Sequence, residues 1–382
     1  MTLTAPKKSR HRLFLPLIVV FSVGSGMTQV SSAAQEKLDS LLYEEYDPVS
    51  TLVVEKHPIE MARFPFIDVH SHHSRADGYD DAQMADVIKD MDGLNMKVAV
   101  NLSGGWGEKL VNMIKSMKGR YPDRFVVFTN INFDGMGEPG WTEREVARLE
   151  EGVGNGAQGL KIYKSLGLSI VDETGARLAT NDSRLDPIWA KAGELGIPVL
   201  IHTGEPSPFW SDRDRFNERW LELKQYPNRY RDPSIFPSWE DVMAEQHDIF
   251  RKHPGTNFIN AHLGWYGNNL DGMGELMDRF PNMYTELGAV LAELGRQPRN
   301  ARAFLIKYKD RVMFGKDSWA PDEYRVYFRT FETADEFFDY YRKRHAHWKL
   351  YGLDLPDDVL RHIYYRNAIR VIPGIDASDF PD

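Results

Sequence analysis

From Phe64 onward, short apolar runs rich in β-branched residues alternate with amphipathic stretches of helical period. This rhythm is what most constrains the fold, because parallel strands need crossover connections and helices supply them. The strand candidates are residues 66–70, 97–103, 125–131, 159–163, 197–202, 257–262, 282–287 and 311–315. Between them stand helical patterns such as "DAQMADVIKDMDGL", "WTEREVARLEEG" and "LDPIWAKAGELG", the last stopped by Gly196. Eight such units predict an α/β chain closed into a (β/α)8 TIM barrel over residues 64–382. An open doubly wound sheet is the alternative, but no glycine-rich phosphate loop follows any of the strand runs. "GVGNG" at 152–156 precedes a run and reads as a loop.

Ahead of the barrel, Lys7, Lys8, Arg10 and Arg12 precede an apolar run from Leu13 to Val23 and small residues ending in "SSAAQ". Residues 1–34 therefore read as a secretory signal peptide, and the expected location is periplasmic or otherwise secreted. The run is short for a membrane span, so no stable membrane insertion is expected. Residues 35–63 read as a linker and N-terminal arm, with "STLVVEKH" as a short edge strand. Losing four cations and no acid takes the formal charge from −9 to −13, which argues against a nucleic-acid partner. The chain has no cysteine, which excludes disulfides, thiolate metal sites and a cysteine nucleophile.

The chemistry is concentrated at the strand ends. Asp68, His70 and His72 in "FPFIDVHSHH" are spaced to share one face of an extended strand, whereas His73 points the other way. His202 ends the fifth run, His262 the sixth, and Asp317 follows the eighth. In a parallel barrel these positions meet at the C-terminal rim. Several imidazoles and a carboxylate without thiolate describe a site for Zn2+, with Mn2+, Fe2+ or Co2+ as alternatives. Asp317 is the candidate proton acceptor, and His262 the candidate group for polarising the substrate or holding its oxyanion.

In "GLKIYK", strand parity puts Lys161 and Tyr163 on one face and Ile162 and Lys164 on the other. Lys161 is a candidate substrate ligand, or a carboxylated bridge if two metals bind. Asp68 and Glu205 are candidate outer supports, Glu205 through His202, and Glu286 is a candidate cavity or structural carboxylate. After the fifth run, residues 206–246 form an enlarged loop bearing Trp210 and Arg213 among many aromatics and arginines. It reads as a lid offering cations to an acidic substrate, or equally as a helical excursion with a solvated charged face or a subunit contact. His345 and His347 lie in a pattern that reads as helical, where i and i+2 do not face one another, so they are set aside as ligands.

With "DVHSH", "IHTGEP", "AHLG", "GKDS" and "LPDDVLRHIYYRNAIRVI" in that order, the chain resembles the amidohydrolase superfamily from about Phe64 to Ile375. It looks most like the amidohydrolase-related branch of hydrolases and decarboxylases. The resemblance implies His70, His72, His202 and Asp317 as metal ligands and His262 as a catalytic or second-metal histidine. Lys161 occupies the region where two-metal members carry a carboxylated lysine. "GKDSW" replaces the branch's more usual "GTDSP" and brings Trp319 forward as a pocket-wall residue. The expectation is a metal-dependent hydrolase of a lactone, amide or ester in a small-molecule substrate, using one ion or two. Non-oxidative decarboxylation of an aromatic or unsaturated acid is the alternative reaction, and a non-catalytic binding barrel the non-enzymatic one. The sequence leaves a homo-oligomer open.

Overall fold

A computed structural model describes residues 40–381. The expected signal peptide and the first residues of the linker lie outside them. The chain divides into two compact units, residues 1–51 and 52–382. The described part of the first holds one 3-10 turn, Tyr43–Glu45. "STLVVEKH" forms no strand. Among the described residues no helix is long and apolar enough to cross a membrane.

Among the described residues the second unit carries nine parallel strands: β1 Phe66–Ser71, β2 Met96–Asn101, β3 Phe125–Val127, β4 Thr129–Asn130, β5 Leu160–Ile162, β6 Val199–Ile201, β7 Phe258–Asn260, β8 Met283–Glu286 and β9 Val312–Met313. They pair in chain order as β1-β2-β3 and β4 through β9. β3 and β4 are the two halves of the single run expected at 125–131. Between them Phe128 N–H donates to Asn101 O of β2, and Thr129 N–H to Gly159 O next to β5. The last strand returns to the first, since Val69 N–H donates to Phe314 O at 3.0 Å and Asp317 N–H to His70 O at 2.7 Å. The eight expected runs thus close into a TIM barrel. Every residue of β1 is buried, as a strand with helices outside and side chains inside requires.

Helices α1 Asp81–Leu94, α2 Gly107–Met117, α3 Trp141–Gly154 and α4 Asp186–Glu194 follow the early strands. The sequence sets α1's ends: Asp80 accepts from Gln83 N–H at 2.8 Å in a capping box, and Asn95 stops it in a left-handed conformation. It buries Met84, Val87, Met91 and Leu94, one helical stripe. "GVGNG" is not all loop, because α3 runs through Gly154 before Gly156 breaks it at positive φ.

The segment after β6 holds 3-10 turns at Ser207–Trp210 and Pro227–Arg229, a short helix α5 Trp220–Gln225, and the start of α6 Trp239–Lys252. Beyond it come α7 Leu270–Arg279, α8 Leu291–Gly295, α9 Pro298–Lys307 and α10 Pro321–Glu332. The final helix runs as α11 Asp357–Arg361, a π turn His362–Arg366 and α12 Asn367–Val371. It braces the two-residue β9: Phe314 N–H donates to Ile363 O at 2.8 Å, and the Asn367 amide to Val312 O at 2.7 Å. That support places the turn leading to Asp317. Residues 342–347 are turn and bend, not helix. His345 is buried there, 3.3 Å from Glu222, and the His347 ring packs on Trp348.

Candidate metal centre

Two ring nitrogens and one carboxylate oxygen face one another at the rim. His70 Nε2 and His72 Nε2 are 3.3 Å apart, and Asp317 Oδ1 lies 3.4 Å from the first and 3.6 Å from the second. His70 reaches back through Nδ1 to Glu286 Oε1 at 2.9 Å. Burial raises the pKa of Glu286, while the His262 N–H at 2.6 Å and the Gly288 N–H at 2.5 Å that it accepts work the other way; with Glu286 as carboxylate, His70 Nδ1 carries the proton. His70 Nε2 is then a bare lone pair. His72 Nδ1 bonds Ser103 Oγ at 2.8 Å.

Lone pairs and a carboxylate gathered this closely repel unless a cation lies between them. Tetrahedral zinc bonds of about 2.0–2.1 Å put ligand atoms roughly 3.3–3.4 Å apart, so the observed spacings fit such an ion. Burial supports neutral imidazoles: it holds His70 and His202 well below the ordinary histidine range and pushes His72 down to about 4. Burial works against ionising Asp317, but its Coulombic attraction to a proton carried by the surrounding cluster of His70, His262, His72 and Lys161 outweighs that and holds its carboxyl below the usual range.

His202 and His262 continue the cluster. His262 Nδ1 meets the carbonyl of Gly288 at 2.8 Å; a carbonyl only accepts, so Nδ1 carries a proton, and in the neutral ring Nε2 is the bare nitrogen. That Nε2 lies 3.3 Å from His202 Nδ1, and the buried His202 Nε2 has no hydrogen-bond partner. A neutral His262 therefore presents an acceptor, and could hold an oxyanion only after taking up a proton. The backbone here is left-handed from His262 through Trp265, with φ of 59°, 52°, 56° and 61°. Each L-residue in that region costs about 1–2 kcal/mol, and Asp317 shares the strain at φ 85°. Gly315 has no such freedom of choice, since a Cβ there would run into Glu286 Oε2.

Lys161 is buried inside the barrel with no hydrogen-bond partner for Nζ, which stands 5.6 Å from the centre of the Tyr163 ring, and burial lowers its pKa to about 7. Tyr163 stacks on His72 with ring centroids 5.9 Å apart and donates to Leu102 O. The expected alternation ends with β5 at Ile162: Lys164, placed on the opposite face by parity, also lines the cavity beside the cluster. Asp68 supports the centre through backbone, accepting from His70 N–H at 2.9 Å and Lys316 N–H at 3.1 Å. Glu205 is bonded not to His202 but to Lys164 and Arg231.

The cavity measures about 90 Å³ and is lined by His202, His262, Asp317 and Trp265, among others. Trp265, which sequence reasoning missed, stacks on His262 at 4.5 Å. Five expected substrate contacts are not among its lining: Lys161 and Tyr163, already placed, and the three expected wall residues Trp210, Arg213 and Trp319. Trp210 donates from Nε1 to Pro237 O and packs on the cluster of Leu168, Val242 and Met243. Arg213 stands over the Tyr230 ring, and Trp319 packs against His73 at 4.8 Å.

The family model described as Amidohydrolase matches residues 45–374. No curated protein matches the chain. Among solved structures, a putative amidohydrolase from Staphylococcus aureus is 17% identical with a TM-score of 0.51, covering 80% of this chain and 99% of its own. An uncharacterized TIM-barrel protein from Bordetella bronchiseptica is 17% identical with a TM-score of 0.50, covering 80% and 97%. A dihydroxybenzoic acid decarboxylase from a Polaromonas species, solved with manganese and 2-nitroresorcinol, is 12% identical with a TM-score of 0.50, covering 81% and 96%. The barrel and its rim of histidines accord with the match over residues 45–374, and the chain belongs to the amidohydrolase family.

Proposed function

We propose that the chain is a metal-dependent hydrolase that cleaves a lactone, amide or ester bond in a small molecule. The observation that carries this reading is the double placement of Asp317, whose Oδ1 lies within 3.4–3.6 Å of His70 and His72 while the residue also lines the cavity. His70, His72 and Asp317, with His202, would hold the ion, Zn2+ first and Mn2+, Fe2+ or Co2+ as alternatives. Such an ion supplies Lewis acidity and lowers the pKa of a water it holds to about 7. Asp317, kept ionised, is placed to accept the proton of the attacking water and return it to the leaving group. His262 Nε2, bare at the start, is suited to orienting that water by accepting its second O–H. Trp265 stacks on His262 and holds its ring in place.

Lys164, Arg229 and Arg342 around the cavity favour one second reading, in which they hold a carboxylate that leaves as carbon dioxide. One experiment separates the two. The metal-loaded chain is given panels of lactones, amides and esters, and separately aromatic acids with carbon dioxide measured. Hydrolysis without gas supports the proposal, and gas from the acids alone supports the second reading. Turnover of neither panel would leave a binding barrel.

A further inference from the structure

Three separate segments bring positive charge to the cavity wall: Lys164 just after β5, Arg219 and Arg229 in the segment after β6, and Arg342 after α10. Each is paired, but the carboxylates are shared. Glu205 Oε1 takes both Lys164 Nζ at 2.5 Å and Arg231 Nη2 at 3.1 Å. Glu222 takes Arg219 at 3.1 Å and also Arg229, with His345 Nε2 at 3.3 Å. Arg219 has a second partner in Glu293, whereas Arg342 and Lys316 divide Glu323 between them. Six cations therefore share four carboxylates, and four of those cations, Lys164, Arg219, Arg229 and Arg342, line the cavity against three carboxylates, Glu205, Glu222 and Asp317. Shared pairing leaves the desolvation of such cations incompletely compensated, and an anion entering the cavity would complete it. Lys164 and Arg229 are the members best able to receive one, with side chains 42% and 35% exposed.

We infer that the substrate bears a carboxylate besides the bond that is cleaved, and that Lys164 and Arg229 bind it. This rests on the cavity being the substrate site of the proposed hydrolase. Two charge-assisted donors on different segments fix both the position and the orientation of such a group. Neither residue touches the metal donors, so both act on binding and on discrimination between acidic and neutral substrates.

The test uses the full metal-loaded chain with Lys164→Gln and Arg229→Gln. Each variant leaves its carboxylate another cation, Arg231 for Glu205 and Arg219 for Glu222, so neither strands a buried charge. Glutarate, with glutaramide as its neutral counterpart, is titrated by calorimetry. Wild type is expected to bind glutarate at least tenfold more tightly than glutaramide, and each variant to lose at least tenfold on glutarate alone. In turnover, both variants should raise KM for acidic lactones at least tenfold more than for neutral ones. Glutarate affinity unaffected by either substitution would overturn the subsite. So would equal kcat/KM for acidic and neutral lactones, a result that keeps the hydrolase. Glutarate binding that depends on both residues, without hydrolysis of any lactone, amide or ester, would keep the subsite and remove the hydrolase.

Discussion

Glu286 holds His70 from behind, its Oε1 2.9 Å from Nδ1, while the same carboxylate accepts the backbone N–H groups of His262 and Gly288. One buried side chain thus sets the tautomer of one candidate ligand and the backbone of its neighbour His262. In Glu286→Gln the side-chain NH2 replaces an acceptor, meeting Gly288 N–H with a second donor. Metal affinity should fall about 10–100-fold, the usual effect of losing a ligand's outer partner. Competition with a chelator would measure it, and an affinity equal to wild type would sink the assignment.

Asp317 is expected to serve both the metal donors and the proton transfer. Asp317→Asn keeps the shape and removes the charge and the basicity. Turnover should drop by about 10²–10⁴-fold even at saturating metal, with circular dichroism unchanged. His262→Ala should show a comparable loss. Near-normal rates in both variants would place the chemistry elsewhere.

Much of this centre was legible because strand ends in a parallel barrel converge. "DVHSH", His202, His262 and Asp317 needed only the strand positions to be brought to one rim. The contribution of Glu286 was not readable, since a carboxylate on a strand looks the same whether it faces a ligand or packs structurally. Nor was Trp265, whose place depends on four successive left-handed residues that no propensity suggests. Trp210 and Arg213 were expected at the wall from the composition of their loop and Trp319 from the family resemblance, but each found a partner outside the cavity lining. The arginines that do line it, Arg219, Arg229 and Arg342, lie at positions the pattern could not distinguish from their neighbours.

Asp68 is fully buried, and burial raises its pKa to about 7 against the donors that surround it. Tyr324 O–H supplies one of them at 2.5 Å to Oδ2, tying α10 to β1. Tyr324→Phe should cost about 1–3 kcal/mol by leaving that oxygen unpaired. The melting temperature should fall by several degrees, and an unchanged melt would mean the bond contributes nothing net.

His73 gives the fold an acid sensitivity through burial, with its neighbour His72 adding to it. It is buried against Trp319 and Phe125, its Nε2 has no partner, and burial pushes its pKa down to about 4 from an ordinary 6.5. Between those two values the unfolded chain takes up a proton that the folded chain refuses. The stability is therefore complete above about pH 6.5 and is lost as the pH falls toward 4, by about 3 kcal/mol for this one group. His73→Phe removes the titration while giving up no hydrogen bond at Nε2. On chelator-treated protein, which separates this effect from metal release, the variant should gain on wild type as the pH drops from 7.5 to 4.5. A constant difference in stability across that range would show that His73 does not titrate on unfolding.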